Sequence, residues 1–427
     1  MSQPPSTVPG GPGARPGPGL ARRTARAALV RVDAAFSQKG PAFKQLAVSW
    51  SANVAGDTLV TVALAGSLFF EVPSAQARAK VALYLLLTIA PFIVVAPVLG
   101  AVFHRFPAGY RAVLASASAL RALVAVVMTF GLRTLWLFPL AFTMLVLSRL
   151  YGISKSSMLP VALPEPVALV SANALLARFG IYAGAVAALV GAGLGYLHSA
   201  AALGAAAVVF LFSAFTGLGL PDPSVAVPLS AAAPAIAPSR EAFRQSVRGL
   251  RLSRLATAVV RLLNGFLLAL LAFEFKETGG ILDFGALIAA AGIGFGLASF
   301  VSPWLERRLR EEPMVVAALA VEAAAAFVAG QFFSLWAAAL LAGAAGLAWG
   351  TAKFGFDGLL QGVVHPDRRG SAFTRSETLF QLAWVLGAVL PVAVHIPAGV
   401  GLAVAGGVAL AAQTVFVSGL LVEPRLR

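Results

Sequence analysis

The sequence predicts an all-α integral membrane protein with about twelve transmembrane helices. Three observations predict this fold class. First, 59% of the residues are hydrophobic and only 11% are charged, whereas a soluble chain carries about twice that charged fraction. Second, the apolar residues fall into runs long enough to cross a bilayer, and third, the basic residues gather between those runs. We therefore expect lipid to surround most of the chain, because a water-soluble fold needs polar residues to cover its surface.

The apolar runs have the length of membrane-spanning helices. A hydrocarbon core about 30 Å thick needs roughly 20 apolar residues in a helix. The runs are rich in Ala, Leu and Gly and lack the alternation of a membrane β-barrel. We predict spans at Leu46–Phe70, Val81–Phe103, Ala112–Leu132, Leu135–Lys155, Val167–Leu197, Ala200–Leu220, Leu255–Phe273, Phe284–Leu305, Met314–Phe333, Leu335–Leu360, Ala372–Val394 and Gly399–Leu421.

The distribution of basic residues predicts the orientation of these spans. If the N-terminus is cytoplasmic, most Arg and Lys residues outside the spans lie in cytoplasmic segments, and the loops on the other side carry only Arg78, Lys80, Arg133 and Lys276. This is the positive-inside pattern of membrane proteins. It predicts a multi-pass protein of the bacterial inner (cytoplasmic) membrane, with both the N-terminus and the C-terminus in the cytoplasm.

A polar stretch divides the spans into two sets of six. Residues 221–254 carry five prolines followed by five arginines, and we predict a cytoplasmic linker there between six-helix bundles at 45–220 and 255–427. Residues 1–44 are predicted to be a basic cytoplasmic tail, partly disordered because Pro and Gly dominate its beginning. Within it, residues 20–36 fit either an amphipathic helix on an anionic leaflet or a solvated basic segment.

Matching segments in the two halves indicate a duplicated bundle. The fourth span ends with the pattern aromatic-Gly-x-x-Lys at Tyr151–Lys155, and the tenth span contains the same pattern at Trp349–Lys353. Each segment is followed by a proline with an acidic residue and then by Ser-Ala near the start of the next span. We therefore predict two pseudo-symmetric six-helix bundles.

Three short segments refine this prediction. Ser51–Asp57 ends in Gly-Asp inside the first span, Gly100–Arg111 joins the second and third spans, and Tyr151–Lys155 is followed by Ala172–Leu175 at the start of the fifth span. Together with the two bundles, they resemble the major facilitator superfamily, and within it the drug-exporter-like branch that includes macrolide efflux and lysophospholipid transporters. The residues that match the signature of the loop between the second and third helices are Gly100, His104, Arg105, Gly109 and Arg111.

The resemblance implies a secondary transporter that works by alternating access, with a substrate site near mid-membrane lined by spans one, four, seven and ten. It implies export of a small amphipathic molecule, coupled to protons as in an antiporter. His104 replaces the acidic residue that is usual in the signature. Because a histidine cannot act as an anion, the cytoplasmic latch that the acid forms in the family is expected to be altered or absent.

Ionisable side chains inside the spans are the candidate functional residues, because each costs roughly 2.5–3.5 kcal/mol to insert. Asp57 is the candidate for proton coupling, and the alternative is a structural pair with a cationic neighbour, for which Lys155 is one candidate. Lys353 and Asp357 are four residues apart, which predicts an ion pair on one helix face. Lys155 and Lys353 are alternatively contacts for an anionic group of the substrate.

Further ionisable residues are candidate gating charges. Arg375 and Glu377 are two residues apart and cannot face each other, so each needs a partner on another helix, as does Arg178 in the fifth span. The alternative is that these side chains extend towards the membrane surface from a helix end. For Arg121 and Glu322, at similar positions in the two halves, we expect structural pairing.

Several classes of function are not supported. The chain has no cysteine, which excludes disulfides and cysteine metal sites, and it lacks nucleotide-binding, metalloprotease and hydrolase motifs. We predict no enzyme activity, no metal, no cofactor and no nucleic acid partner, and we expect a monomer whose partners are membrane lipid, a small amphipathic substrate and protons. Two alternatives stay open: a lipid transporter or flippase of the lysophospholipid type, and a non-transporting membrane protein that binds a partner.

Overall fold

The computed structural model describes residues 39–68, 109–131, 136–164, 169–221, 240–278, 281–309 and 311–421. The secondary structure of these residues is helical, as predicted. In chain order the helices are α1 (Pro41–Leu68), α2 (Tyr110–Gly131), α3 (Leu137–Ala162), α4 (Leu169–Leu197), α5 (Ser199–Leu218), α6 (Arg240–Thr278), α7 (Ile281–Glu306), α8 (Glu311–Gln331), α9 (Leu335–Val363), α10 (Pro366–Ala393) and α11 (Ala398–Leu421).

Each of these helices coincides with one predicted span. In the part of the chain that the structure describes, 9 helices are long and apolar enough to cross a membrane, and the predicted all-α membrane fold is confirmed. The second predicted span, Val81–Phe103, lies outside the described residues. The predicted amphipathic segment at 20–36 also lies outside them, as do Gly100, His104 and Arg105.

Helix α6 begins earlier than the sequence analysis predicted. It starts at Arg240, so the last part of the predicted linker at 221–254 is helical and extends the seventh span. The arginines of this segment recur every three or four residues, which is the spacing of one helix face. This spacing, rather than the positive charge of the segment, is the feature that indicates a helix.

The two halves pack their helices in the same way. In the N-terminal half, α5 packs against α1 and α2, and α4 packs against α1. In the C-terminal half, α11 packs against α6 and α8, and α10 packs against α6. These pairings correspond one to one, which agrees with two pseudo-symmetric bundles.

Small residues let helices of the C-terminal half approach closely. A Cβ atom at Gly346 of α9 would overlap the carbonyl oxygen of Ala291 in α7, so no side chain fits there. In a bilayer, where lipid tails are as apolar as leucine, helices associate through this kind of close backbone packing. Helices α7 and α9 therefore form a tightly packed pair.

The surface is apolar and charged side chains lie inside, which is the arrangement a bilayer favours. Phe130, Tyr196 and Trp336 are 84%, 94% and 81% exposed. In contrast, Arg121 and Glu322, each near the middle of its helix, are 0% and 1% exposed. The predicted inward placement of polar groups is therefore present in both halves.

The two ends of the helix bundle are distinguished by where the halves connect. We call the end at which α5 finishes and α6 begins the linker end, and the other the opposite end. Helix α1 starts at the linker end, because the Gln45 side chain donates a hydrogen bond to the carbonyl oxygen of Thr216 at 3.0 Å. Helices α3, α7 and α9 finish there, and α4, α8 and α10 start there.

Candidate functional site between the two halves

A cavity of about 260 Å³ lies between the two halves. Helices α1, α3 and α4 line it on one side, and α7, α9 and α10 line it on the other. Spans one, four and ten contribute as predicted, together with spans five, eight and eleven, whereas span seven, which was also expected, supplies none of the described lining residues. The ionisable residues that line the cavity are Asp57, Arg149, Lys155, Lys353, Asp357 and Glu377.

Asp57 forms an ion pair with Arg121 in the N-terminal half. The second carboxylate oxygen of Asp57 accepts a hydrogen bond from the Ser148 hydroxyl at 3.3 Å. The Arg121 guanidinium also donates to the Asn53 side-chain oxygen at 2.7 Å and lies over the Phe210 ring, 4.1 Å from its centroid. Arg121 is completely buried, whereas 39% of the Asp57 side chain is exposed, so the acid is the accessible member of the pair.

Lys155, one candidate partner for Asp57, does not pair with it, and the helix geometry explains why. Ser148 lies level with Asp57 across the α1–α3 contact. Lys155 follows seven residues later in α3, which places it two turns, about 10 Å, nearer the linker end. The expectation that Arg121 pairs structurally is confirmed, because it is the cation that reaches Asp57.

Lys155 lies against an aromatic side chain rather than an acid. Its ammonium nitrogen is 4.6 Å from the centroid of the Trp50 ring. Trp50 is held in place because its indole N–H donates to the Leu176 carbonyl oxygen at 3.0 Å and its ring stacks on Tyr151, with 6.1 Å between centroids. Among the described residues, no carboxylate lies within ion-pair distance of Lys155.

Lys353 joins two carboxylates in the C-terminal half. Its ammonium lies 2.6 Å from Asp357 Oδ2 and 2.8 Å from Glu377 Oε1. The ion pair predicted from the spacing of Lys353 and Asp357 is confirmed, and Glu377 finds its partner on another helix, as expected. The Glu377 carboxylate also experiences the charges of Arg149 and Arg261.

The remaining predicted charges lie outside this cluster. Arg178 of α4 lies over the Phe300 ring of α7 at 4.7 Å, across the interface between the halves. Arg375 is exposed and donates to the Ser371 carbonyl oxygen of its own helix at 3.3 Å. Glu322 is buried, and within the described residues neither of its carboxylate oxygens has a hydrogen-bond partner, so the structural pairing expected for Glu322 is not found there. The structure therefore does not bring Arg178, Arg375 or Glu322 to the cavity.

Two residues of the predicted loop signature lie in the described part of the chain. Gly109 directly precedes α2, and its carbonyl oxygen accepts from the Val113 N–H at 3.0 Å. The Arg111 guanidinium donates to the Leu220 carbonyl oxygen at 3.3 Å. Both therefore help to order the linker end of the N-terminal half.

A carboxylate of the C-terminal half holds the first turn of α4 in the N-terminal half. Glu306 accepts hydrogen bonds from the backbone N–H of Val170 at 3.1 Å and of Ser171 at 2.9 Å, and also from the Ser171 hydroxyl. These N–H groups have no partner within their own helix, and the positive end of the helix dipole favours an anion there. The contact joins the halves at the linker end.

Sequence reasoning missed Glu306, although a signal was present. Glu306 and Arg307 follow the eighth span with the same spacing from Ser302 that His104 and Arg105 have from Gly100. The C-terminal half therefore carries an acid at the position where the N-terminal signature has a histidine. Comparison of the two loops would have singled it out.

Further hydrogen bonds between the halves lie at the same end. The Tyr110 hydroxyl donates to the Pro366 carbonyl oxygen at 2.7 Å and accepts from the Gly370 N–H at 3.1 Å. The Gln361 side chain accepts from Asn173 at 2.7 Å and donates to the Ser156 carbonyl oxygen at 2.8 Å. The linker end of the interface is thus closed by a set of direct polar contacts.

No family model matches the chain. The sequence is 30% identical over 396 residues to the uncharacterized protein ML2143 of Mycobacterium leprae, an alignment that covers 83% of this chain and 68% of that protein. Among solved structures, the human organic anion transporter MFSD10 (TETRAN) matches with a TM-score of 0.65 at 16% identity, over 88% of this chain and 98% of the other.

A bacterial homologue of the iron transporter ferroportin, in an outward-facing state, matches with a TM-score of 0.62 at 19% identity, over 89% of this chain and 99% of the other. These likenesses show the fold, and the narrower placement in a drug-exporter branch stays a prediction. The chain belongs to the same family as ML2143 of Mycobacterium leprae, and it has the fold of the major facilitator superfamily transporters.

Proposed function

We propose that this protein is a secondary transporter that works by alternating access and exports a small amphipathic molecule in exchange for protons. The observation that carries the proposal is the charged cavity between two pseudo-symmetric halves, closed at one end by direct contacts between them. Burying several charges inside a membrane protein is costly, so they indicate a polar path or site. Closure at one end is what one state of an alternating-access cycle requires.

The orientation follows from the positive-inside pattern of the sequence. In this orientation the linker end faces the cytoplasm, and the contacts of Glu306, Tyr110 and Gln361 close the cytoplasmic side. We infer that the cavity opens to the outside in this state, because an alternating-access cycle requires one side to be open when the other is closed.

Proton coupling is assigned to Asp57. Its carboxylate is partly exposed in the cavity and holds the buried Arg121. A proton that binds Asp57 removes the negative charge opposite Arg121 and leaves that guanidinium with the uncharged Asn53, Met144 and Phe210 as its contacts. Because an unpaired buried charge is strongly unfavourable, protonation of Asp57 favours a rearrangement of α1, α2 and α3.

The size of the cavity favours a small molecule over a lipid. A volume of about 260 Å³ is just below the roughly 300–1,000 Å³ typical of ligand pockets. Apolar side chains share the lining with the charged ones, including Trp50, Phe295, Phe354 and Phe373. This mixture supports an amphipathic substrate.

Single-cysteine labelling tests alternating access without knowledge of the substrate. The chain has no cysteine of its own, so a Gly→Cys variant carries one thiol without background. Gly152 lines the cavity, and a Cβ atom there meets no atom within 4 Å. Exposed glycines at the two ends, Gly399 at the opposite end and Gly362 at the linker end, supply matched reporters.

The experiment applies a membrane-impermeant thiol reagent to each side of oriented membrane vesicles. We expect Gly152→Cys to react from both sides, Gly399→Cys from the outside and Gly362→Cys from the cytoplasmic side. Reaction of Gly152→Cys from one side only, under every condition tried, would contradict transport. That outcome would favour the non-transporting alternative, because a fixed vestibule opens to one side.

The same reporter tests coupling. We expect the ratio of inside to outside labelling of Gly152→Cys to change between neutral and acidic pH, and the change to disappear when Asp57→Asn is added. An equal pH response in the presence of Asp57→Asn would remove Asp57 from the coupling mechanism while leaving alternating access intact.

A further inference from the structure

The carboxylates at the cavity each contact a cation of the protein. The Asp57 carboxylate is held by Arg121, and the Asp357 and Glu377 carboxylates both contact Lys353. Among the described residues, each carboxylate that lines the cavity therefore already has a cationic partner within the protein, and none is left unpaired for a cationic group of a ligand. This arrangement disfavours a cationic substrate.

Positive charge is in excess around the same cavity. Arg149 lines it, and the charges of Arg149 and Arg261 both act on Glu377, whose carboxylate already contacts Lys353. The charges that line the cavity are balanced, with three cations and three carboxylates, and the excess comes from Arg121 and Arg261, which act on Asp57 and Glu377 without lining the cavity.

Lys155 is the cation available to a ligand. It lines the cavity and contacts the Trp50 ring face at 4.6 Å. A cation over an aromatic face keeps its N–H donors for other acceptors, because the ring supplies electrostatic attraction and no lone pair. In the described part of the chain, Lys155 has neither a salt bridge nor a hydrogen bond that would occupy these donors.

The apolar lining adjoins this ammonium. Phe295 and Phe354 pack together with 5.7 Å between ring centroids, and both line the cavity, as does Phe373. A ligand that places an anionic group at Lys155 therefore finds aromatic surface for the rest of its structure. Ligand sites commonly combine a largely apolar lining with a few polar groups that fix orientation.

We propose that the cavity binds organic anions, with the anionic group of the ligand on the Lys155 ammonium and its apolar or aromatic part against Phe295, Phe354 and Phe373. This rests on the proposed function, since it names the substrate class of the same site. Carboxylates, sulfonates and phosphate monoesters all supply a negatively charged group that accepts hydrogen bonds, as contact with the Lys155 ammonium requires.

The test uses a pair of thiol reagents of similar size and opposite charge: 2-sulfonatoethyl methanethiosulfonate and 2-(trimethylammonium)ethyl methanethiosulfonate. The ratio of their reaction rates at Gly152→Cys, divided by the same ratio at the exposed Gly399→Cys, reports the electrostatic preference of the cavity. We expect the normalised ratio to favour the sulfonate by about tenfold. A ratio of one, or a preference for the ammonium reagent, overturns the proposal.

Substitution at Lys155 assigns the preference to this residue. We expect Lys155→Gln to reduce the sulfonate preference of Gly152→Cys by about tenfold, Lys155→Arg to retain it, and Lys44→Gln, at an exposed position, to leave it unchanged. An unchanged preference in Lys155→Gln contradicts the role of Lys155. If Lys155→Gln does not fold, the charge preference of Gly152→Cys with Lys155 in place still decides whether the cavity selects anions.

Protection from labelling tests the aromatic part of the ligand. We expect 2-naphthalenesulfonate to slow the reaction of Gly152→Cys with the ammonium reagent, and trimethyl(2-naphthyl)ammonium to have less effect. Equal protection by the two, or none by the sulfonate, counts against an organic anion site. Labelling from both sides with no anion preference would refute the substrate class alone, whereas one-sided labelling would refute the transport function.

Discussion

Glu306 and Ser171 belong to opposite halves of the protein and are joined through the backbone N–H and the hydroxyl of Ser171, both of which donate to the Glu306 carboxylate. Lys39 lies close to the same carboxylate: burial lowers the pKa of Lys39, and the charge of Glu306 opposes that shift. The contact breaks if the halves separate at the linker end. Glu306 is therefore positioned to stabilise the state in which that end is closed.

Glu306→Gln is predicted to weaken closure of the linker end. The amide keeps one acceptor oxygen but loses the charge that interacts with the N-terminus of α4, which is worth roughly 1 kcal/mol. This corresponds to about a fivefold shift in the equilibrium between closed and open states. The measurement is the rate at which Gly152→Cys reacts from the linker side, which we expect to rise about fivefold.

Glu312→Gln is the matched control for this prediction. Glu312 lies at the same end, but it packs beside Gly249 within its own half. We expect it to leave the labelling rate unchanged. A similar increase in both variants would mean that general loss of negative charge, rather than the contact with Ser171, controls closure.

The ion pair between Asp57 and Arg121 is predicted to stabilise the fold, so that loss of one member costs more stability than loss of both. Removal of one member of a buried pair costs about 3–5 kcal/mol because the other charge is left without compensation. Arg121 is the completely buried member of the pair, so we expect Asp57→Leu to lower the thermal unfolding temperature in detergent strongly, and Arg121→Leu/Asp57→Leu to recover part of the loss. Additive effects of the two single substitutions would show that the pair does not contribute as a unit.

Lys353 is predicted to be essential for stability because its ammonium compensates the negative charges of two acidic side chains. Lys353→Met leaves the carboxylates of Asp357 and Glu377 close together without their shared cation, at a cost of about 3 kcal/mol. Lys353→Met/Asp357→Asn removes one of the negative charges and should recover part of that stability. The measurement is again thermal unfolding, with Lys44→Met as an exposed lysine control; no recovery in the double variant would contradict this explanation.

Gly358 is predicted to be required for close contact between the halves. A Cβ atom at Gly358 of α9 would lie 2.8 Å from Val170 Cγ2 in α4, so a larger side chain forces the linker end apart. We expect Gly358→Leu to increase labelling of Gly152→Cys from the linker side. Gly204→Leu is the control, since a Cβ atom at Gly204 meets nothing within 4 Å; equal effects would exclude a local steric cause.

Much of the fold could be predicted because a bilayer imposes a simple rule on sequence. Apolar runs such as Ala112–Leu132 must be helices of about the observed length, since backbone polar groups in lipid need partners within the segment. The spacing of Lys353 and Asp357 also specified their contact, because residues four apart share a helix face. The start of α6 was misplaced because a basic amphipathic segment resembles a linker when only its charge is considered.

Contacts between helices were harder to predict from sequence. The choice of Arg121 rather than Lys155 as the partner of Asp57 depends on the relative height of α1, α2 and α3, which no single-sequence pattern specifies. Glu306 was overlooked because it lies at a helix end, where a charged residue is usually solvated. Its role arises from the position of α4 in the other half, which is a property of the assembled bundle.

The most direct test of the account is a disulfide across the linker end. Val170 Cγ2 would lie 2.8 Å from a Cβ atom at Gly358, which places the two Cβ atoms within the roughly 3.5–4.5 Å that a disulfide requires. In Val170→Cys/Gly358→Cys/Gly152→Cys, we predict that oxidation abolishes labelling of Gly152→Cys from the linker side, preserves labelling from the opposite side, and is reversed by reduction. Continued labelling from the linker side in the cross-linked protein would contradict the claim that separation of the halves at this end opens the cavity.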